Sequence, residues 1–73
     1  MKEPDLLVKI GERIKEIRLK KSMSQNDLAM ECNFEKASMS RIESGQTNPT
    51  VRTLSKICNA LDITMVDLFR EQA

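Results

Sequence analysis

Two copies of one helix-start signal constrain this chain more than any other feature. Ser24 and Asp27 form a capping box, S-x-x-D, and Thr64 and Asp67 form a second one. Beside each box, two apolar residues are spaced to staple the helix start, and these pairs are Met23 with Leu28 and Ile63 with Leu68. Because 73 residues suffice for one small domain, short helices that begin at such signals must build its core.

Helical spacing of apolar residues predicts the first two helices. The first runs from about Asp5 to Lys20, and Gly11 lies inside it. That glycine is either a tolerated cost or the point where a second helix approaches closely. The second helix begins at its capping box and ends near Cys32, where Asn33 suits a left-handed turn.

The third, fourth and fifth helices complete an all-α fold with five helices and no strand. The third runs to Ser44, with Gly45 just past its end. A loop follows, and the fourth helix is capped by either Asn48 or Thr50, which the pattern leaves open. We expect a single domain that occupies residues 1–73.

Composition argues against several classes of function. The chain has no histidine, which is the commonest general base, and a single small core leaves little room for a cleft, so we expect no enzyme. We also expect no cofactor. The longest apolar run is three residues, so we expect neither a membrane segment nor a signal peptide. Cys32 and Cys58 lack other soft ligands for a metal, and we interpret them as buried thiols of a reducing cytoplasm, with redox sensing as the alternative.

The net charge of the chain does not indicate a basic patch, but the distribution of charged residues along the sequence does. The net charge is +1, well short of the strongly basic balance of many nucleic-acid-binding domains. Residues 1–21, however, carry seven basic and four acidic side chains. A basic surface must therefore be assembled in space from separate segments.

Residues 24–45 have the spacing of a helix-turn-helix motif. On the third helix, Met39 and Ile42 define the inward face. The opposite face is small, polar and basic, and consists of Ala37, Arg41 and Ser44, flanked by Ser40, with Lys36 at the exposed tip. Such a face fits a DNA major groove, where an arginine hydrogen-bonds guanine; the alternative is an ordinary solvated surface.

Two opposite charges fall on the core sides of their helices. Arg18 lies on the apolar face of the first helix, and Glu43 lies on the inward face of the third. We predict a buried ion pair that fixes the angle between these helices. The alternative is that both side chains extend separately to solvent.

Two segments of this motif, SQNDLA at 24–29 and SMSRIESG at 38–45, resemble the Cro and phage-repressor type of helix-turn-helix, the xenobiotic-response-element family. The resemblance continues through NPT at 48–50, Leu54 and DLF at 67–69. It implies a lambda-repressor-like domain of five helices, with the helix-turn-helix at helices two and three.

The same resemblance implies a set of DNA contacts. The base-reading positions are Lys36, Ala37 and Arg41, and the phosphate positions are Ser40 and Ser44. Arg52 lies where some members of the family reach the DNA backbone or the minor groove. Gln25 would open the positioning helix near a phosphate and brace the tip of helix three with its amide. Arg18 and Glu43 match the internal ion pair of the family.

Departures from the family pattern concern capping and charge. Glu35 replaces the usual Ser or Thr cap of helix three, and Ser22 replaces the usual glycine after helix one. Gln46 and Asn48 are uncharged where many relatives carry lysine. We therefore expect modest, salt-sensitive DNA binding, and the Glu35 carboxylate is expected to lower affinity or to reject some bases.

The function implied is a cytoplasmic, sequence-specific regulator that binds double-stranded DNA. We expect a homodimer on a palindromic operator, acting mainly as a repressor, with Met65, Val66 and Phe69 of the last helix as its seam. These side chains could instead close the core of the monomer. Two further alternatives are a DNA-binding antitoxin with a toxin partner and a protein-interaction module that has kept the fold.

Overall fold

The computed structural model describes residues 3–70 and confirms the all-α prediction, since no strand forms in that span. Its helices are α1 (Glu3–Lys20), α2 (Gln25–Cys32), α3 (Lys36–Glu43), α4 (Val51–Leu61) and α5 (Met65–Phe69). The first helix begins earlier than predicted because a proline is tolerated in the first turn of a helix. None of the helices within residues 3–70 is both long and apolar enough to span a bilayer.

Both predicted capping boxes are confirmed. The Ser24 hydroxyl oxygen accepts from the Asp27 N–H at 2.9 Å, and Asp27 Oδ2 accepts from the Ser24 N–H at 2.8 Å. The corresponding distances between Thr64 and Asp67 are 3.0 and 3.1 Å. Hydrogen bonds from the backbone N–H of each cap lower the pKa of both carboxyl groups, so the boxes are ionised at neutral pH.

The structure identifies the cap of α4, which the sequence pattern left open between Asn48 and Thr50. Thr50 caps α4, because its hydroxyl oxygen accepts from the Thr53 N–H at 3.1 Å. Asn33 adopts the predicted left-handed conformation with φ of 59°. Asp62 does the same after α4 with φ of 56°, and Ser22 holds φ of 58° without the conformational freedom of the glycine it replaces.

The core draws on every helix. Its largest fully buried side chains are Ile14, Leu28, Met39, Ile57, Leu61 and Leu68. Cys32 and Cys58 are buried free thiols, as predicted. Desolvation raises the pKa of each thiol, so both are protonated at neutral pH.

Gly11 marks the closest approach of α3 to α1. A Cβ atom added to Gly11 would collide with the Glu43 carbonyl oxygen and would lie 2.6 Å from that of Ile42. Gly45 meets the same helix about one turn earlier, since its added Cβ would lie 2.8 Å from Val8 Cα. The close-approach interpretation of Gly11 is thereby confirmed.

Replacing Gly11 by alanine should destabilise the fold by about 1–3 kcal/mol, because the added methyl group would collide with backbone oxygens that cannot turn away. Helix propensity alone predicts the opposite, a gain of roughly 1 kcal/mol. Urea denaturation compares the two effects directly. Lys9→Ala, at an exposed position of the same helix, is the control, and a Gly11→Ala chain as stable as the parent would contradict the close approach.

Candidate nucleic-acid interface

The outer face of α3 is open to solvent along its length. Lys36, Ala37, Ser40, Arg41 and Ser44 are all exposed, whereas Met39 and Ile42 are buried. The predicted division between inward and outward faces is confirmed. The Ser44 hydroxyl donates to the Arg41 carbonyl oxygen at 3.2 Å, which satisfies one carbonyl in the last turn of the helix. The DNA contacts assigned to these side chains stay predictions.

Arg18 and Glu43 meet as a bidentate pair beneath this face. Arg18 Nε lies 2.7 Å from Glu43 Oε2, and Arg18 Nη2 lies 3.0 Å from Oε1. Their side chains are only 7% and 4% exposed, so water screens the pair weakly. Arg18 Nη1 also donates to the Met23 carbonyl oxygen at 2.8 Å, and the hydrogen bonds to Glu43 raise the pKa of Arg18.

Gln25 joins this network at a position that the sequence did not predict. Its Nε2 donates to Glu43 Oε1 at 3.2 Å, in the last turn of α3. The expected brace to the tip of α3 at Lys36 is therefore wrong. The reason is that the amide N–H of Gln25 needs an acceptor, which the Glu43 carboxylate supplies beside the start of α2 and the Lys36 ammonium cannot supply.

An open groove runs between α1, the start of α2 and α3. The Arg18–Glu43 pair forms part of its lining, and the other lining side chains are basic or polar. These are Lys15, Ser24, Gln25, Asn26, Lys36, Ser40 and Ser44. Lys15 and Asn26 line this groove but were not among the site residues that the sequence predicted. The signal for Lys15 was available, because it precedes Arg18 by three residues and so shares its helix face.

A second groove lies on the other flank of α3. Arg41 and Ser38 line its α3 side, and the loop that leads into α4 lines the opposite side through Thr47 and Asn48. Arg52 is exposed on the first turn of α4 and lines neither groove. The structure therefore brings Gln25, Lys36, Ser40 and Ser44 to one groove, and Arg41 to the other.

The last helix exposes part of its apolar surface. Val66 is 69% exposed and Phe69 is 48% exposed. Met65, which we expected in the same seam, is instead partly buried against the core, with its Sδ 3.5 Å from Cys58 Sγ. Of the three residues expected in the seam, Val66 and Phe69 are the more exposed, and the seam itself stays a prediction.

Arg13 ties this last helix to α1. Its Nη2 donates to the Asp67 carbonyl oxygen at 3.0 Å, and its Nη1 pairs with Glu16 Oε1 at 2.8 Å. A carbonyl near the C-terminal end of a helix has no partner within the helix, so an arginine from elsewhere is a favourable donor. The orientation of α5 is thus fixed relative to α1.

Comparison with known proteins matches this chain to one family model and to several regulatory proteins. The helix-turn-helix family model matches residues 14–68. The control protein C.BamHI of Bacillus amyloliquefaciens is 41% identical over 59 residues, which cover 80% of this chain and 73% of that protein. The HTH-type transcriptional regulator SinR of Bacillus licheniformis is 38% identical over 64 residues, covering 86% of this chain but only 58% of SinR.

One solved structure similar to this chain contains DNA. It is the tetramer of the restriction-modification controller protein C.Esp1396I in complex with its natural 35-base-pair operator. The two folds agree with a TM-score of 0.81 at 39% identity, over 88% of this chain and 84% of that one.

Glu43→Ala should destabilise the fold by roughly 3–5 kcal/mol, because it leaves the Arg18 guanidinium buried without its partner. Replacing both partners, Arg18→Met with Glu43→Leu, should cost less than that single change, since no unpaired charge remains. Thermal melts of Glu43→Ala, Arg18→Met and the double variant measure this. Additive losses would show that the two side chains do not act as a pair.

Proposed function

The chain belongs to the helix-turn-helix family of DNA-binding transcriptional regulators, and on that premise we propose that its third helix reads an operator in the major groove. One observation carries the proposal: an exposed, small, basic face on α3 lies over a buried bidentate ion pair that fixes its angle. A rigid scaffold keeps base-contacting side chains in register with the DNA.

The side chains on α3 suit close contact with base edges. Ala37 and Ser40 are small, so the helix backbone can approach the floor of the groove. Arg41 offers a planar pair of donors that matches the two acceptors of guanine. Lys36 extends from the first turn, where side chains of such a helix reach bases or phosphates. No catalytic role is assigned to this surface.

The groove beside α1 suits the phosphate backbone. Lys15 and Lys36 supply positive charge, and Asn26 supplies a neutral donor at the start of α2. Phosphates favour the N-terminal end of a helix, because its first N–H groups point outward. Contacts of this kind position the protein and make its affinity fall with salt.

Two copies are needed for a full operator. The described chain measures 31 × 23 × 20 Å, whereas successive major grooves on one face of DNA are about 34 Å apart. We propose a two-fold homodimer whose seam includes Val66 and Phe69, bound to a palindromic operator in the cytoplasm. Occlusion of a promoter would make the dimer a repressor.

The relatives compared above carry the names of controllers and regulators, which gives a toxin partner no support.

Arg41→Ala should weaken specific binding by roughly 1–3 kcal/mol and relax the preference at one base pair of each half-site.

Lys15→Gln should weaken binding to all sequences alike and lower the slope of log affinity against log salt by about 1. Fluorescence anisotropy with a selected duplex and single-position variants, at several salt concentrations, separates the two effects.

Lys9→Gln is the matched control for Lys15→Gln, since Lys9 is exposed on the same helix but does not line the groove. It should leave the salt slope unchanged. Unaltered base preference in Arg41→Ala would remove the assignment of that residue to base reading.

Val66→Glu should disrupt the dimer without unfolding the chain, because it places a carboxylate in an apolar seam while the core stays intact. Sedimentation should then move toward the 8.3 kDa of one chain, and circular dichroism should stay unchanged. Val51→Glu, the same change at a 73% exposed site on α4, should still sediment as a dimer. A Val66→Glu chain that still dimerises would place the seam elsewhere.

A further inference from the structure

Glu35 occupies the N-cap position of α3 without capping it. Its side chain makes no capping hydrogen bond, whereas Ser24, Thr50 and Thr64 each cap their own helix. The side chain is exposed. Within residues 3–70, its carboxylate forms no hydrogen bond or ion pair, so both oxygens are available to a ligand.

The backbone that carries Glu35 is held from both sides. The Phe34 N–H donates to the Ala29 carbonyl oxygen at 2.8 Å, and the Met39 N–H donates to the Glu35 carbonyl oxygen at 3.1 Å. The Phe34 ring also lies 5.8 Å from the Lys56 ammonium. The carboxylate is therefore presented from a fixed turn, immediately before Lys36.

A free carboxylate at this place is costly in a DNA-binding surface. The residues that follow along the outer face of α3 are neutral or basic, and DNA phosphates repel a negative charge. The first residues of a recognition helix, however, are those that reach the base edges. Glu35 immediately precedes the first of them, Lys36, and from that place its carboxylate would meet hydrogen-bond donors only on some bases.

Base chemistry decides which bases a carboxylate tolerates. In the major groove, guanine presents two acceptors and thymine presents an acceptor and a methyl group, so neither can donate to it. Adenine has an amino donor, but its N7 acceptor lies directly beside that donor. Cytosine presents its amino group as a donor, and it pairs with Glu or Asp.

We propose that Glu35 selects cytosine at one position of each half-site, an inference that rests on α3 entering the major groove. Glu35 thereby acts as a specificity-determining residue next to Lys36 and Arg41. Its charge lowers affinity for every other base at that position, which gives discrimination by repulsion as well as by attraction.

The test is selection of bound duplexes from a random pool with four proteins: the parent, Glu35→Gln, Glu35→Ser and Glu31→Gln. We expect the parent to enrich cytosine at one position by about 10-fold or more. Glu35→Gln should shift that preference to adenine, because an amide pairs with the donor and acceptor of adenine together. Glu35→Ser should lose the preference, since a short hydroxyl returns to capping α3.

Glu31→Gln is the matched control, because it removes the same charge from an exposed position at the end of α2. It should retain the preference of the parent. Glu35→Gln with the same preference as the parent and uniformly tighter binding would overturn the proposal, since the carboxylate would then only repel DNA. A parent chain that selects no sequence at all would instead contradict the proposed function, and the role of Glu35 with it.

Discussion

The buried pair between Arg18 and Glu43 is the interaction on which the rest of the molecule depends. It joins α1 to the last turn of α3 through contacts of 2.7 and 3.0 Å between side chains that are nearly buried at the floor of the groove. Because both charges are desolvated, neither can be left unpaired without a large cost, so the angle between the two helices is tightly constrained. Gly11 lets the backbones meet there, and Gln25 extends the network to the edge of the groove.

This constraint links the core of the domain to its surface. The C-terminal end of α3 is held on α1 by the ion pair, and the N-terminal end is held by the turn at Phe34, whose N–H is bonded to α2. The face between these two ends is left free and exposed. A surface that is fixed at both ends and open between them is suited to reading a rigid partner such as duplex DNA.

Local features of this fold could be predicted from the sequence, whereas contacts between helices could be predicted only in part. The capping box from Ser24 to Asp27 spans four residues, so its pattern is visible without the fold. The choice of Thr50 as the cap of α4 depends on how the loop turns, and the pattern could not decide it. The partner of Gln25 depends on where α2 lies relative to α3, which a helical wheel does not contain. The place of Lys15, by contrast, could have been predicted, since it shares a face of α1 with Arg18.

The central claim is that DNA binds along α3 and the groove beside it, and chemical-shift mapping tests it most directly. An isotope-labelled chain titrated with a duplex selected from a random pool reports each backbone amide separately. We expect the largest changes at residues 25–26 and 36–44, with changes in α5 that depend on protein concentration rather than on DNA. Changes centred on α4 and α5, with the amides of α3 unmoved, would contradict the claim.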